Sequence, residues 1–466
     1  MRVAFTAAEK ARGEEGTLAL VISESNDTTD EEAVSVEMTE RRGRINADLT
    51  IGADVTQAQG LGANEGLSSF GLMLAGSGFI VTPAEAEALG LGTIPGIEQH
   101  IRPYRNGKDL ASTPRGVMVI DLLGLSEAEV IAKFPAVYQQ IFTRVKPERD
   151  TNRDKALRER WWLHGRSRQE LRKALVGLRR YIGTPETAKH RIFQFLDSTT
   201  AADHMIVALA LDDAFHLGVL SSKFHTLWAF TAGGRMGVGN DSRYNSSRCF
   251  QPFPFPTATE AQQAHIRELA EALDAHRKRQ QAQHPSLTLT DLYNVVEKLR
   301  AGQPLTAKEQ TTHEHGLAAV VLSLHQQLDA AVDEAYGWPA DLPDADILTR
   351  LLQLNYARQQ EEAAGTVRYL RPAYQAPEQQ AALALPTATA PTPLAAEVGP
   401  QPWPAELAQQ MQAVRGIVQQ ASQPVNSAQV AARFRGSSPK KVQPLLDTLA
   451  LMALVRFVEE ENVYAA

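Results

Sequence analysis

Apolar and polar positions alternate over the first fifty residues of this chain. Residues 3–6, 18–22 and 34–38 carry β-branched or aromatic side chains with polar spacers, which predicts short strands. A strand with nothing before it is an odd start for a domain, so it is expected to be a sheet edge or the continuation of a sheet begun on another chain. Glycines 60, 62, 66, 71, 76 and 78 puncture the strand-like region that follows. The run 205–211 is continuously apolar, the run 116–123 is apolar but for Asp121, and both fit buried strands. Ser126 with Glu129, and Ser167 with Glu170, have capping-box spacing and predict helix starts. Residues 216–230 read as one apolar helix.

The period then changes. Ile266, Leu269 and Leu273 share a helical face, as do Leu292, Val295, Val296 and Leu299. A capping box at Thr306 and Glu309 precedes the stripe from Leu317 to Val332, and Gly337-Trp338-Pro339 ends it. Residues 257–375 therefore read as a helical region. Residues 376–404 hold seven prolines among alanines and threonines, a composition that cannot bury a core and predicts a disordered linker. Residues 405–466 predict three helices and a terminal hairpin, which looks like a winged helix. Ser438-Pro439 would start its last long helix, and Pro444 inside that helix suggests a later start or a bend. The expected class is α+β: a mixed strand and helix region over 57–256, a helical region, and a small domain after the linker.

Composition narrows the setting. A single cysteine, Cys249, excludes an internal disulfide framework and fits a reducing compartment. No basic-then-apolar leader and no long apolar run occur, so a cytoplasmic protein without a membrane span is expected.

Charge is distributed unevenly. The chain carries 47 Lys/Arg and 54 Asp/Glu, yet residues 144–191 hold fifteen basic and six acidic residues. That leaves 32 against 48 elsewhere. One basic block with Trp161, Trp162 and Tyr181 on an acidic chain suits a polyphosphate partner. A solvated face paired through Glu148, Asp150, Asp154 and Glu159 is the plain alternative, but the basic surplus exceeds what those four can pair.

Catalytic signatures are missing from the sequence. The only Gly-Lys pair, Gly107-Lys108, continues with Asp and makes no phosphate loop. There is no His-Glu-x-x-His, no Cys/His cluster, no Asp/Glu-x-Lys nuclease triplet and no Gly-x-Ser-x-Gly. His313-Glu314-His315 reads as helix surface, so no metal is expected. Polar loops remain at 64–69, 102–109 and 239–248, the last mixing Asn and Arg, which read adenine and guanine edges.

The ordered set Arg102–Leu110, Val145–Asp150, Trp161–Leu163, Ala188–His190, Leu217–Ser222, Arg248–Pro256 and Ala335–Pro339 resembles one family. That family is the MmeI-like class I adenine-specific DNA methyltransferases of restriction–modification and phage-defence systems. Gln251 stands where that pattern has an aspartate before Pro-Phe-Pro. The resemblance covers roughly residues 1–375. It implies that 1–56 are the last strands of a methyltransferase sheet and 57–256 a DNA target recognition domain. The family's glycine-rich S-adenosylmethionine loop and Asn/Asp-Pro-Pro-Tyr/Phe motif are absent, and no Pro-Pro pair occurs. The resemblance thus implies the downstream half of an N6-adenine methyltransferase, as a split subunit, a disrupted gene or a fragment. No cofactor is expected in this chain, with S-adenosylmethionine held by an upstream catalytic subunit. On duplex DNA, Lys146, Arg149, Arg153, Lys155, Arg158, Lys189 and Arg191 would neutralise phosphates. Asn64, Ser68, Arg105, Asn240, Arg243 and Arg248 would read bases. A non-enzymatic DNA-binding or defence-complex protein is the alternative, and a decayed remnant a third reading.

Overall fold

A computed structural model describes residues 16–26, 34–43, 45, 51–236, 241–377, 401–421, 424–451, 454–458 and 463–465. The chain divides into two units, residues 1–381 and 382–466. The class is α+β.

The first unit opens on two long antiparallel strands, Gly16–Asn26 and Val34–Gly43, with Leu20 opposite Thr39. Among the described residues they pair only with each other. The strand expected at 3–6 lies outside the described residues.

Two four-stranded sheets build the next region. In the first, Ile101–Arg105 lies between Ala201–Ala202 and Met118–Ile120, and Ile80–Val81 completes the order. The helices Glu127–Lys133 and Pro135–Arg144 cover it, burying Val130, Val137 and Ile141 with Val119, Ile120 and Trp161. Ser126 and Glu129 form the expected reciprocal cap of the first helix. The second sheet is antiparallel, in the order Ser68–Phe70, Ile206–Leu209, Arg180–Pro185, Gln194–Asp197. A three-stranded sheet of Gly234–Met236, Asp241–Arg243 and Thr187–Ala188 flanks it.

Two local expectations change. Ser167 does not cap a helix: Met73 and Arg166 exchange both backbone hydrogen bonds, at 3.1 and 3.0 Å, which commits the chain to extended pairing there. The helix Gln169–Leu175 starts later, behind a left-handed Arg168. The apolar run 216–230 forms two helices, Ala214–Ser221 and Lys223–Ala232, parted at Ser222. Gly218 lets the first of them press onto the helix Glu260–Gln283, because a Cβ there would sit 2.5 Å from Ile266 Cγ2.

The helical region continues with Leu289–Arg300, Ala307–Gly316, Ala318–Tyr336 and Asp344–Ala363. It has no core of its own. Val207, Leu209 and Phe195 of the second sheet share one apolar cluster with Leu217, Trp228, Ile266, Leu292 and Leu328. Residue 256 therefore marks no boundary in packing. Helix starts here are secured by reciprocal caps at Thr259 and Thr306. Thr259→Ala should cost about 1 kcal/mol, read as a lowered urea midpoint. No loss of stability would mean the cap contributes nothing.

The second unit holds the helices Leu407–Gln420, Ser427–Ala431 and Pro439–Leu451 and the antiparallel strands Arg456–Val458 and Val463–Ala465. Val425 bridges Tyr464, and Val414, Val418, Val430, Val442, Leu446 and Tyr464 fill the core. The last helix begins at Pro439 and continues through Pro444. Gln401–Pro402 pairs with Phe434–Arg435, and the Trp403 ring meets Phe434 edge-on at 5.1 Å. The C-terminal end of the expected linker is thus part of this unit, while residues 378–400 lie outside the described residues. Among the described residues, no helix is long and apolar enough to cross a membrane.

Candidate nucleic-acid interface

The basic tract splits between surface and core. Lys146, Arg153, Lys155, Arg158 and Lys189 keep charged heads at the surface. Three of them are held by neighbours: Lys146 pairs with Asp150 at 2.7 Å, Lys155 pairs with Glu159 at 3.5 Å, and Lys189 Nζ donates to Asn294 at 2.6 Å. Arg158 donates to the carbonyls of Asn152 and Arg153, which curls it over the loop before its own helix. Solvent screening leaves exposed pairs of this kind weak, so a phosphate can displace the acids.

Arg149 and Arg191 are not phosphate contacts. Arg149 is 0 % exposed and donates from Nη2 to Leu74 O and Leu163 O, tying two segments together over the Phe79 ring. Arg191 is buried at the junction of two sheets, donating to Thr184, Pro185 O and Ser242 O across the Tyr244 face. Burial pushes its pKa down to about 10. Both guanidinium groups are enclosed by protein, out of reach of a polyanion. The aromatics turn inward as well. Trp161 and Tyr181 are buried, and the Trp162 indole donates to Leu125 O at 3.0 Å.

The proposed base readers divide in the same way. Asn64 is 1 % exposed, and its amide donates to the carbonyls of Phe250, Gln251 and Phe253. It is a clamp on the Pro-Phe-Pro segment, because both amide N–H groups are taken up by these carbonyls in a buried site. The hydroxyl of Ser68 is buried within the second sheet. Arg105 is half-buried at the end of its strand, and desolvation lowers its pKa. Arg243 pairs with Glu186 at 2.8 Å beside the buried Arg191. Arg248 is exposed on the turn Ser246–Phe250. Asn240 lies outside the described residues. The structure therefore brings Asn64 and the Arg248 turn together through backbone contacts, and Arg243 and Arg191 together at one sheet junction.

Sequence reasoning passed over several groups. Glu362 accepts from the N–H groups of Gly62 and Ala63 at 2.8 and 3.0 Å, across 300 residues. Beside them, a cavity of about 310 Å³ is lined by Asp213, His216, Arg358, Glu361 and Arg368 among others. Burial pushes the His216 pKa down to about 4, so its ring is neutral. A second cavity lies along the basic tract, against Asp121 and His164. No local pattern could join these pairs, because their spacing in sequence has no period. Among the described residues, no group of three or more His, Cys, Asp or Glu could hold a metal.

Residues 66–257 match the family described as MmeI, target recognition domain. The structure of the Type IIL restriction–modification enzyme MmeI in complex with DNA is similar in fold, with a TM-score of 0.52 at 20% identity. That match covers 70% of this chain and 40% of the MmeI chain. No curated protein matches. The chain therefore carries an MmeI-like target recognition region, and it spans about 40% of the length of the solved relative.

Proposed function

We propose that this chain is the DNA sequence-recognition part of a site-specific N6-adenine DNA methyltransferase in a restriction–modification or phage-defence system. The match of residues 66–257 to the MmeI target recognition domain carries this reading. The surface cations of the basic tract support it. Lys146, Arg153, Lys155, Arg158 and Lys189 supply phosphate contacts, and Arg105, Arg243 and Arg248 have the side chains for base edges. Methyl transfer needs S-adenosylmethionine and a pocket for a flipped adenine. Both family motifs that would hold these groups are missing from these 466 residues. We assign that chemistry to a catalytic subunit or segment outside them.

Residues 405–466 are read as a winged-helix module. Three helices precede a hairpin, and Val425 adds a bridge to the Tyr464 strand. Arg433, Arg435, Lys440 and Lys441 are all exposed and fall within nine residues, which favours a second DNA contact.

Duplex binding measured by fluorescence anisotropy should weaken steeply between roughly 50 and 200 mM salt, as counterion release requires. The triple variant Arg153→Ala, Lys155→Ala, Arg158→Ala should flatten the logarithmic slope by roughly 0.9 for each phosphate that is no longer neutralised. An unchanged slope would place the phosphate-binding cations elsewhere. Mixing the chain with a catalytic partner and labelled methyl donor separates the enzyme reading from a purely DNA-binding protein. Intact DNA binding without methyl transfer would favour the latter.

A further inference from the structure

In the tract from 144 to 191, the side chains of Arg153, Arg160, Arg166, Lys173 and Arg179 are exposed and engaged by no hydrogen bond or ion pair among the described residues. Of these, Arg160 and Arg166 line the second cavity, of about 260 Å³. An unengaged guanidinium group can take an anion without giving up a partner, unlike Lys146 or Lys155.

The chain between the two arginines is fixed at every residue. Trp161 is buried, the Trp162 indole donates to Leu125 O, Leu163 O accepts from Arg149 Nη2, and the His164 ring is sealed against Ile120 O. The N–H of Gly165 donates to Leu74 O at 3.3 Å, and a Cβ on Gly165 would sit 2.9 Å from that of Ala75. Arg166 itself exchanges both backbone hydrogen bonds with Met73. Arg160 and Arg166 thus stand at the two ends of one anchored segment. The ordering cost of a shared ligand falls on their side chains alone.

The charges around the cavity leave its rim positive. On the floor, Asp121 is 2 % exposed and is matched inside the protein by Arg172 at 2.5 Å and Arg102 at 3.9 Å. Asp154 at the rim is the N-cap of the helix Lys155–Glu159, with Oδ1 accepting from Ala156 N at 2.9 Å. Glu170 acts on Arg168, which is half-buried and donates from Nε to Gly71 O. Desolvation lowers the Arg168 pKa, and the charge of Arg166 lowers it further. Arg166 is therefore felt by its neighbour rather than cancelled. Apolar walls from Leu123, Ala156, Leu157 and Leu163 screen this field less than open water would on a flat surface.

Two forked donors on one concave surface suit an anion with several acceptor oxygens, and Arg binds phosphate in this bidentate way. We infer that Arg160 and Arg166 form a phosphate seat at this cavity and jointly hold one phosphodiester of the DNA backbone. This rests on the DNA-recognition reading above. Such a contact carries no sequence information and fixes how the recognition domain sits on the duplex.

The test is duplex binding by the full chain, followed by anisotropy over a range of salt. Two arginines on one phosphate release the counterions of one phosphate, so Arg160→Ala with Arg166→Ala should flatten the logarithmic slope by roughly 0.9. Two separate contacts would flatten it by roughly 1.8, which overturns the shared seat. At fixed salt the alanine pair should weaken binding roughly tenfold, the effect of hydrogen bonds to a charged group. Arg160→Lys with Arg166→Lys keeps both charges and loses the forks, so the slope should return while affinity stays below that of the parent. Full recovery of affinity with lysine would make the pair general surface charge and overturns the seat. The alanine pair should melt at the parent's temperature, because neither side chain engages the rest of the chain. A lowered melting temperature would show that both hold the fold instead, and it too overturns the seat. An unchanged slope with duplex binding intact removes the seat and leaves DNA recognition standing. If the parent binds no duplex, the DNA-recognition reading falls, and the seat with it.

Discussion

Asn64→Asp is expected to destabilise the protein by on the order of 4 kcal/mol at neutral pH. The amide nitrogen of Asn64 faces three carbonyl oxygens at 2.8–3.0 Å in a buried site. A carboxylate there would set negative charge against three acceptors, with no donor to offset it. The new carboxyl group should therefore hold its proton, with a folded-state pKa above its unfolded value. For an acid raised in this way, the folded state binds more protons than the unfolded chain as pH rises through that window. Stability then falls with rising pH. The variant should be closest to the parent at acid pH and weakest above neutrality, as read from urea midpoints at both ends. If Asn64 instead reads a base, the variant would keep the parent midpoint and change only its DNA sequence preference.

The contrast between Asn64 and Arg248 shows where sequence reading reaches its limit. Both stand in polar loops with the same functional vocabulary. One is sealed under the Pro-Phe-Pro segment, and the other is at the surface. Which is which depends on a contact across 186 residues. Local signals fared better. The capping boxes at Ser126 and Thr306 form, because their geometry closes within four residues. The box at Ser167 does not, because a bridge to Met73 takes precedence over it. The helical stripes were legible from periodicity, but their fusion with the second sheet into one core was not. Charge counting marked the tract from 144 to 191 without separating its surface cations from the buried Arg149 and Arg191. An arginine that ties carbonyls together and an arginine that waits for a phosphate have the same one-letter signature. Trp403, a large aromatic among prolines, was the one sign that the linker ends before it.

Asp329→Asn should act in the other direction and stabilise the protein, by up to about 3 kcal/mol at neutral pH. Burial pushes the Asp329 pKa up from its ordinary 3.8 to about 6, and neighbouring Asp333 adds to the rise. Its Oδ1 accepts from the backbone N–H of Lys223 at 2.7 Å, which the asparagine oxygen can also do. The substitution thus keeps the hydrogen bond and removes a buried charge. Below the unfolded value, both states of the parent are protonated and the variant gains nothing. Between about 4 and 6 the unfolded parent ionises first, so the parent loses stability as pH rises and the variant does not. Above about 6 the difference is constant. Melting temperatures of the two proteins should coincide near pH 3.5 and separate to a plateau by neutrality. Equal melting at neutral pH would mean that this carboxylate is solvated. Asp329 lines a cavity of about 120 Å³ with His190, Arg191, Lys223 and Arg300, where the end of the basic tract meets the helices. Above its pKa the ionised carboxylate partly offsets the charges of Lys223 and Arg300. The same substitution should therefore leave that cavity more positive and strengthen duplex binding at low salt, where screening is least.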